Sequence, residues 1–271
     1  MFYALSSWWR YYKDAVSIYS VHSPFVYDFI LDVLDTSKVY YHFESIELER
    51  KALLKNHDSI SFIDYGAGSK KSKDVERKIS NVARYSLSNQ KQGRLLFNLV
   101  VKYQPMKILE LGSSLGISTL YLSKARLDGT VYTLEGNPAS AKIAANIYER
   151  HTCKNIKLSV GTFDLLLPNV LKEMERVDLA FIDGNHTYEA TMAYFNSILP
   201  YCNVDSILIF DDIYWSRDME RAWQEIKAHN KVTLTIDLYE LGIVFFHGNR
   251  EKLEVKLIEW WKKIWNIGIW G

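Results

Sequence analysis

From about Pro105 onward, short apolar runs alternate with longer amphipathic stretches, and no other feature limits the possible folds as strongly. The runs are MKILEL (106–111), TVYTLE (130–135), IKLSV (156–160), VDLAFID (177–183), DSILIFD (205–211), KVTLTI (231–236) and IVFFH (243–247). A strand that is apolar on both faces must be covered on both faces, so runs of this kind separated by helical periodicity predict β-α units in a parallel sheet. The last two runs are joined only by DLYELG, which is too short to hold a crossover helix. The final strand is therefore expected to run antiparallel to its neighbour. The expected class is α/β: a doubly wound, mostly parallel sheet of the seven strands named above, with the last one reversed.

Residues 1–104 lack this alternation. Segments 24–35, 45–56, 74–87 and 93–103 carry apolar residues at helical spacing, which predicts a mostly helical N-terminal region that serves as a substrate cover or lid or makes dimer contacts. Within it, SFIDYGAGSKKSKD (61–74) is a short apolar run followed by a glycine-bearing, Lys-rich loop. Three parts are expected: 1–104, a ligand-binding core over 105–248, and a Trp-rich segment over 249–271. Lys+Arg 33 against Asp+Glu 32 leaves a net charge of +1, which does not suit a generic polyanion binder, so no nucleic-acid partner is expected. Two cysteines, Cys153 and Cys202, cannot make a disulfide scaffold, and no Cys/His cluster offers a zinc site. The N-terminal MFYALSSWWRYYKDAV has Trp8, Trp9 and Arg10 where a signal peptide needs an apolar stretch, so a cytoplasmic protein is expected.

Two glycine loops are candidates for holding a nucleotide: Gly66-Ala67-Gly68 and Gly112-Ser113-Ser114-Leu115-Gly116. Such a loop works when glycines let the backbone approach the ligand, a helix N-terminus follows, and an acid about 20 residues on takes the ribose hydroxyls. Only the second loop meets all three conditions, with Glu135 lying 135 − 112 = 23 residues beyond Gly112. A tight β-α turn that needs glycine for geometry alone accounts for the same pattern. Glu110, just before the loop, would repel a diphosphate but attract the cationic amino-acid end of S-adenosylmethionine.

On these residues the chain resembles the class I S-adenosylmethionine-dependent O-methyltransferases, which share a Rossmann-like fold, and specifically the metal-dependent group of catechol and caffeoyl-CoA O-methyltransferases. The resemblance runs from about Gly93 to His247. KILELGSSLGISTLYLS (107–123) is similar to the family's cofactor loop, which implies Glu110 and Gly112 near the methionine end, Ser114 and Gly116 along the loop, and Ser118 on the carboxylate. TLEGNP (133–138) implies Glu135 on the ribose. GTFDLLLP (161–168) implies Thr162, Phe163 and Asp164 on the adenine side, and QGRLLFNL (92–99) a helix that closes over the cofactor.

Two strand ends carry carboxylates: Asp183, and the pair Asp211 and Asp212. Ligands bind at the C-terminal ends of strands in open α/β sheets, and oxygen donors suit Mg²⁺, Mn²⁺ or Ca²⁺. Helix capping explains the same residues, since Asp is a favoured N-cap. The resemblance implies that Asp183, Asp211 and Asp212 hold a divalent metal, with Mg²⁺ the expected ion. His186 stands three residues after Asp183, where much of the family has a Lys that takes the hydroxyl proton. With an ordinary pKa near 6.5, a histidine can do that work; capping the helix after 186 is the plainer role. The expected function is methyl transfer to a hydroxyl of a small molecule, with His186 and Asp183 catalytic. Transfer to a nitrogen or to a sugar or lipid hydroxyl without metal, or cofactor binding without catalysis, fits the same residues. Tyr188, Tyr214 and Trp215 follow the carboxylates and suit either the walls of a phenol site or core packing.

The C-terminal EKLEVKLIEWWKKIWNIGIWG (251–271) places Leu257, Trp261, Ile264, Trp265 and Gly268 along one helical face, although its opening L-x-V-x-L also fits a strand. A basic, Trp-rich amphipathic helix is the pattern of a membrane-interface segment, with FYALSSWWRYY as a second anchor. Packing on the N-terminal helices or on a second subunit is the expectation preferred here, because apolar patches usually mark protein contacts. A homodimer is accordingly among the expected states.

Overall fold

The structure is a computed structural model that describes residues 2–63, 74–247 and 251–259. The glycine-lysine loop Gly66 to Lys73 and the Trp-rich segment from Trp260 onward lie outside those residues. In chain order the N-terminal region contains α1 (Phe2–Asp14), α2 (Pro24–Phe29), α3 (Phe43–Lys55), the strands β1 (Ser59–Ile63) and β2 (Asp74–Lys78), α4 (Ile79–Ser86) and α5 (Gln90–Tyr103). The core then alternates β3 (Lys107–Leu111), α6 (Ile117–Ala125), β4 (Thr130–Glu135), α7 (Pro138–Arg150), β5 (Ile156–Val160), α8 (Phe163–Met174), β6 (Val177–Ile182), α9 (Tyr188–Ile198), β7 (Cys202–Asp211) and α10 (Arg217–Ala228). It closes with β8 (Leu234–Asp237), β9 (Leu241–Phe245) and β10 (Leu253–Lys256).

The main sheet has the strand order β10-β8-β9-β7-β6-β3-β4-β5. The seven apolar runs of the sequence are β3 to β9, and β9 runs antiparallel to both β7 and β8, as the short DLYELG connection requires. An eighth strand, β10, is added at the edge and pairs parallel with β8. Its residues Leu253 and Glu254 are exposed and Val255 and Lys256 only half-buried, which explains why its pattern is weak: an edge strand is not covered on both faces. A second correction concerns residues 74–87, where helical spacing predicts one helix. Asp74–Lys78 is instead strand, paired antiparallel with Ser59–Ile63, and the helix begins only at Ile79. Pairing with a partner more than ten residues away overrides the low strand preference of Glu76, Arg77 and Lys78.

Contacts divide the chain into two compact units, Asp32–Ala180 and Met1–Leu31 with Phe181–Gly271. In the first, β3, β4 and β5 lie parallel. Phe43, Ile46, Phe97, Leu115, Leu120, Tyr121, Ile147 and Tyr148 form one buried cluster, so the loop residue Leu115 is itself core. Helix α5, expected to close over a cofactor, is packed inside this unit. Leu96 and Leu99 have no exposed surface, and a Cβ on Gly93 would stand 2.3 Å from the Tyr121 ring. In the second unit β7, β9, β8 and β10 carry the core, with Phe25 and Phe29 edge-on to Phe245 at 5.2 and 6.1 Å. The buried Asp237 accepts from Tyr214 Oη (2.8 Å), Trp223 Nε1 (3.2 Å) and the Tyr239 N–H (3.0 Å), so a carboxyl whose pKa burial raises is fully partnered.

Candidate active site

The first group of functional side chains is built where β3 ends. Gly112 and Gly116 have φ of 98° and 89°, and Ser114 between them has φ 48°. The left-handed region is inexpensive for glycine alone, so the turn needs its two glycines and holds Ser114 in a conformation that must be fixed by its surroundings. Glu135 fixes it. The Ser114 N–H donates to Glu135 Oε2 at 2.7 Å, and the Asn137 N–H donates to Oε1 at 2.8 Å. The Gly112 N–H donates to the Leu134 carbonyl and the Gly161 N–H to the Glu135 carbonyl, both at 2.9 Å, so the ends of β3, β4 and β5 are joined around one acid. Burial pushes the Glu135 carboxyl above the usual range, against the opposing effect of its N–H donors.

Asn137 caps α7, accepting the Ser140 N–H at 3.0 Å, and its Nδ2 is left buried without a hydrogen-bond partner. A buried donor in that state costs about 1–3 kcal/mol, which a bound ligand offering an acceptor removes. The left-handed turn, the strand-end acid and the unpaired amide together fit S-adenosylmethionine as the resemblance implies.

Glu110 is placed differently from a surface ligand. It has no exposed surface, and its Oε2 accepts from Thr119 Oγ1 at 2.5 Å and Thr133 Oγ1 at 2.6 Å. Burial raises its pKa, while the hydroxyls of Thr119, Thr133 and Ser118 act the other way. Tyr148 Oη donates to Thr119 Oγ1 at 2.8 Å and extends the network. Glu110 thus ties β3 to β4 and α6 under the loop, and the sequence reading missed its partners. Thr133 is the cross-strand partner of Glu110 in the β3–β4 register, a signal that appears only once the two strands are aligned. Ser118 is buried in the first turn of α6. At the end of β5, Gly161 has φ 147°, Thr162 occupies the cap position of α8, Phe163 is half-buried and Asp164 is exposed in the first turn.

The second group follows β6 and β7. The helix caps are not the aspartates: Thr187 Oγ1 accepts from the Ala190 N–H ahead of α9, and Ser216 Oγ from the Met219 N–H ahead of α10. Nor is His186 the cap. Its Nε2 stands 3.6 Å from Asp183 Oδ1 and 3.8 Å from Asp212 Oδ2, too far for hydrogen bonds and close enough for charge to act. Asn185 and Asp212 both have left-handed backbones, with φ of 51° and 55°. Asp211 Oδ1 accepts the Asp212 N–H at 3.0 Å. Burial lowers the His186 pKa, and the Asp212 charge opposes it in part. Trp215 is 71% exposed, whereas Tyr214 is buried in the core. Tyr188 lies under Arg221, 3.9 Å from its ring centroid.

A divalent ion needs three or more donors turned toward one point. Among the described residues no group of three His, Cys, Asp or Glu side chains is so arranged, and the imidazole of His186 lies within 4 Å of Asp183 and Asp212, two of the three carboxylates that the resemblance assigns to the ion. Metal binding by Asp183, Asp211 and Asp212 is thus not shown by the described residues.

Comparison with known proteins agrees with the fold. Residues 109–213 match the family model described as a methyltransferase domain. A curated catechol O-methyltransferase of Mycobacterium tuberculosis is 28% identical over 136 residues, which is 49% of this chain and 60% of that protein. The chain thus matches less than two thirds of the length of that relative. Among solved structures, an O-methyltransferase from Bacillus cereus in complex with S-adenosylhomocysteine superposes with a TM-score of 0.54 at 22% identity, covering 81% of this chain and 96% of that one. The O-methyltransferase TomG from Streptomyces achromogenes, in complex with S-adenosylmethionine, gives 0.52 at 20% identity, covering 60% and 82%. Residues 109–213 are thus similar to a methyltransferase domain, and the Rossmann-like fold of the chain is the one found in these O-methyltransferase structures.

Proposed function

We propose that the protein transfers a methyl group from S-adenosylmethionine to a hydroxyl of a small molecule, with His186 as the general base. The observation that carries this reading is the strand-end turn of Gly112, Ser114 and Gly116 closed by Glu135. S-adenosylmethionine, when bound, supplies an electrophilic methyl group on a sulfonium. Glu135 would accept from ribose hydroxyls, Asn137 Nδ2 would gain the acceptor it lacks, and the backbone at Gly112 and Gly116 leaves room for close approach.

His186 takes the acceptor's hydroxyl proton. Its lowered pKa keeps the ring neutral, and so able to accept, at pH 7. Asp183 and Asp212 then stabilise the imidazolium that forms, the part a carboxylate plays beside a histidine base elsewhere. The described residues bring no three such side chains together, so no step is assigned to a divalent ion.

The test is product formation from a panel of small phenols and catechols, followed by mass spectrometry with and without a chelator. Methyl ether formation that the chelator leaves unchanged is expected. Turnover that returns only with added Mg²⁺ would give Asp183, Asp211 and Asp212 the ligand role that the resemblance implies, and methylation of amines alone would move the reaction to nitrogen.

A further inference from the structure

The β8–β10 edge of the main sheet carries polar side chains on one face. Successive side chains of a strand point to opposite faces, so Thr235 and Asp237 of β8 share a face, and the parallel register sets Glu254 and Lys256 of β10 beside them. Helix α10 adds Gln224 and Lys227, the end of α1 adds Asp14, and together these residues line a cavity of about 280 Å³. Among the described residues, Val255 is the one apolar residue in its wall.

Two donors on this wall lack acceptors. Thr235 is 1% exposed, and its Oγ1 has no hydrogen-bond partner among the described residues. Lys227 is buried as well, and its ammonium, with three protons to donate, meets one acceptor among the described residues, Glu254 Oε2 at 2.8 Å. Buried donors in this state are costly, and a ligand carboxylate has lone pairs enough to accept from both. The remainder of the wall favours positive charge. It holds three carboxylates, Asp14, Glu254 and Asp237, against the two ammonium groups of Lys227 and Lys256. Of the charges nearby, Arg10 matches Glu220, Lys13 lies by the Trp9 ring and Lys252 donates to the His229 carbonyl, while Glu240 and Glu259, which act on Tyr11, add to the acidic side. We propose that this cavity binds a small free α-amino acid, its carboxylate on Thr235 Oγ1 and Lys227 Nζ and its ammonium among Asp14, Glu254 and Asp237. A purely anionic ligand would meet the surplus of acids, and a purely cationic one would leave both donors unmatched.

An occupant here would also bear on the loop after β7. Asp237 Oδ2 accepts from Tyr214 Oη at 2.8 Å, and Tyr214 stands two residues past Asp212, so the cavity and that loop share one carboxyl. The inference does not depend on methyl transfer.

Titration of the full chain with glycine, L-serine and L-glutamine, followed by melting temperature, tests it, with acetate, ethylammonium and glycerol as controls that carry one function each. At least one of the three amino acids should raise the melting temperature, and the controls should not. Thr235→Val should weaken that binding at least about tenfold, while the unliganded variant melts no lower than the wild type, because a methyl group replaces an unpartnered buried hydroxyl. Glu135→Gln should bind the amino acid as the wild type does, which separates this cavity from the cofactor turn. The proposal is overturned if none of the three amino acids shifts the melting temperature, if a control shifts it equally, if Thr235→Val binds like the wild type, or if Glu135→Gln abolishes the binding. A lower melting temperature of unliganded Thr235→Val overturns it too, since the hydroxyl would then hold the fold and not a ligand.

Discussion

Replacing His186 by alanine is expected to lower kcat by roughly a hundred- to ten-thousand-fold, the usual worth of a positioned general base, with little change in KM. The reason lies in the pair of carboxylates at 3.6 and 3.8 Å, which favour the imidazolium only once a proton has arrived. The pH dependence follows from the direction of the shift. Burial lowers the His186 pKa below its ordinary value, so the ring is neutral and competent at neutral pH and is lost as a base only when the pH falls below about 6.5. An acid limb of kcat/KM in that range, absent from His186→Ala, is the expected profile. The same depression means that the unfolded chain takes up this proton first, so acidification through the same window also lowers stability. A variant with unchanged kcat and a raised KM would make His186 a binding residue.

Gly116→Ala is expected to disable the cofactor side and to destabilise the fold. The residue has φ +89°, and an added Cβ would lie 2.7 Å from Tyr148 Cε1 and 2.9 Å from its hydroxyl. Tyr148 cannot step aside cheaply. It is buried, and its hydroxyl donates to Thr119 Oγ1, which in turn holds Glu110. Left-handed backbone costs an alanine about 1–2 kcal/mol, and overpacking adds about 1–3 kcal/mol. The melting temperature should fall by on the order of 10 °C, and S-adenosylhomocysteine should no longer raise it. A thermal scan that superimposes on the wild type would show that the turn tolerates a side chain and that its glycines are not required.

Periodicity located every strand from β3 to β9, because strands covered on both faces carry a continuous apolar signal in their own residues. The same argument fails where order comes from a distant partner. Asp74–Lys78 reads locally as helix and is strand only because Ser59–Ile63 pairs with it, and Leu253–Lys256 joins the sheet at an edge where one-sided burial weakens the pattern. The capping alternative for the strand-end aspartates fails for a related reason. Asp183, Asp211 and Asp212 are favoured cap types, yet the helices start later, at Thr187 and Ser216, and sequence alone does not give a helix start to the residue. Glu135 was legible from its spacing to Gly112, whereas its grip on the Ser114 and Asn137 N–H groups was not. The burial of Glu110 was hidden as well, since its partners Thr119 and Thr133 reach it through an inter-strand register and a helix packed from the other side.

The most direct test of the central claim is calorimetric titration of S-adenosylhomocysteine and of NAD into the full chain and into Glu135→Gln, a variant first confirmed as folded by near-ultraviolet circular dichroism. The account predicts one-site binding of S-adenosylhomocysteine to the wild type, none of NAD, and at least about tenfold weaker binding to the variant, equivalent to about 1.4 kcal/mol. Equal affinity of wild type and variant for S-adenosylhomocysteine, or binding of NAD in its place, would contradict it.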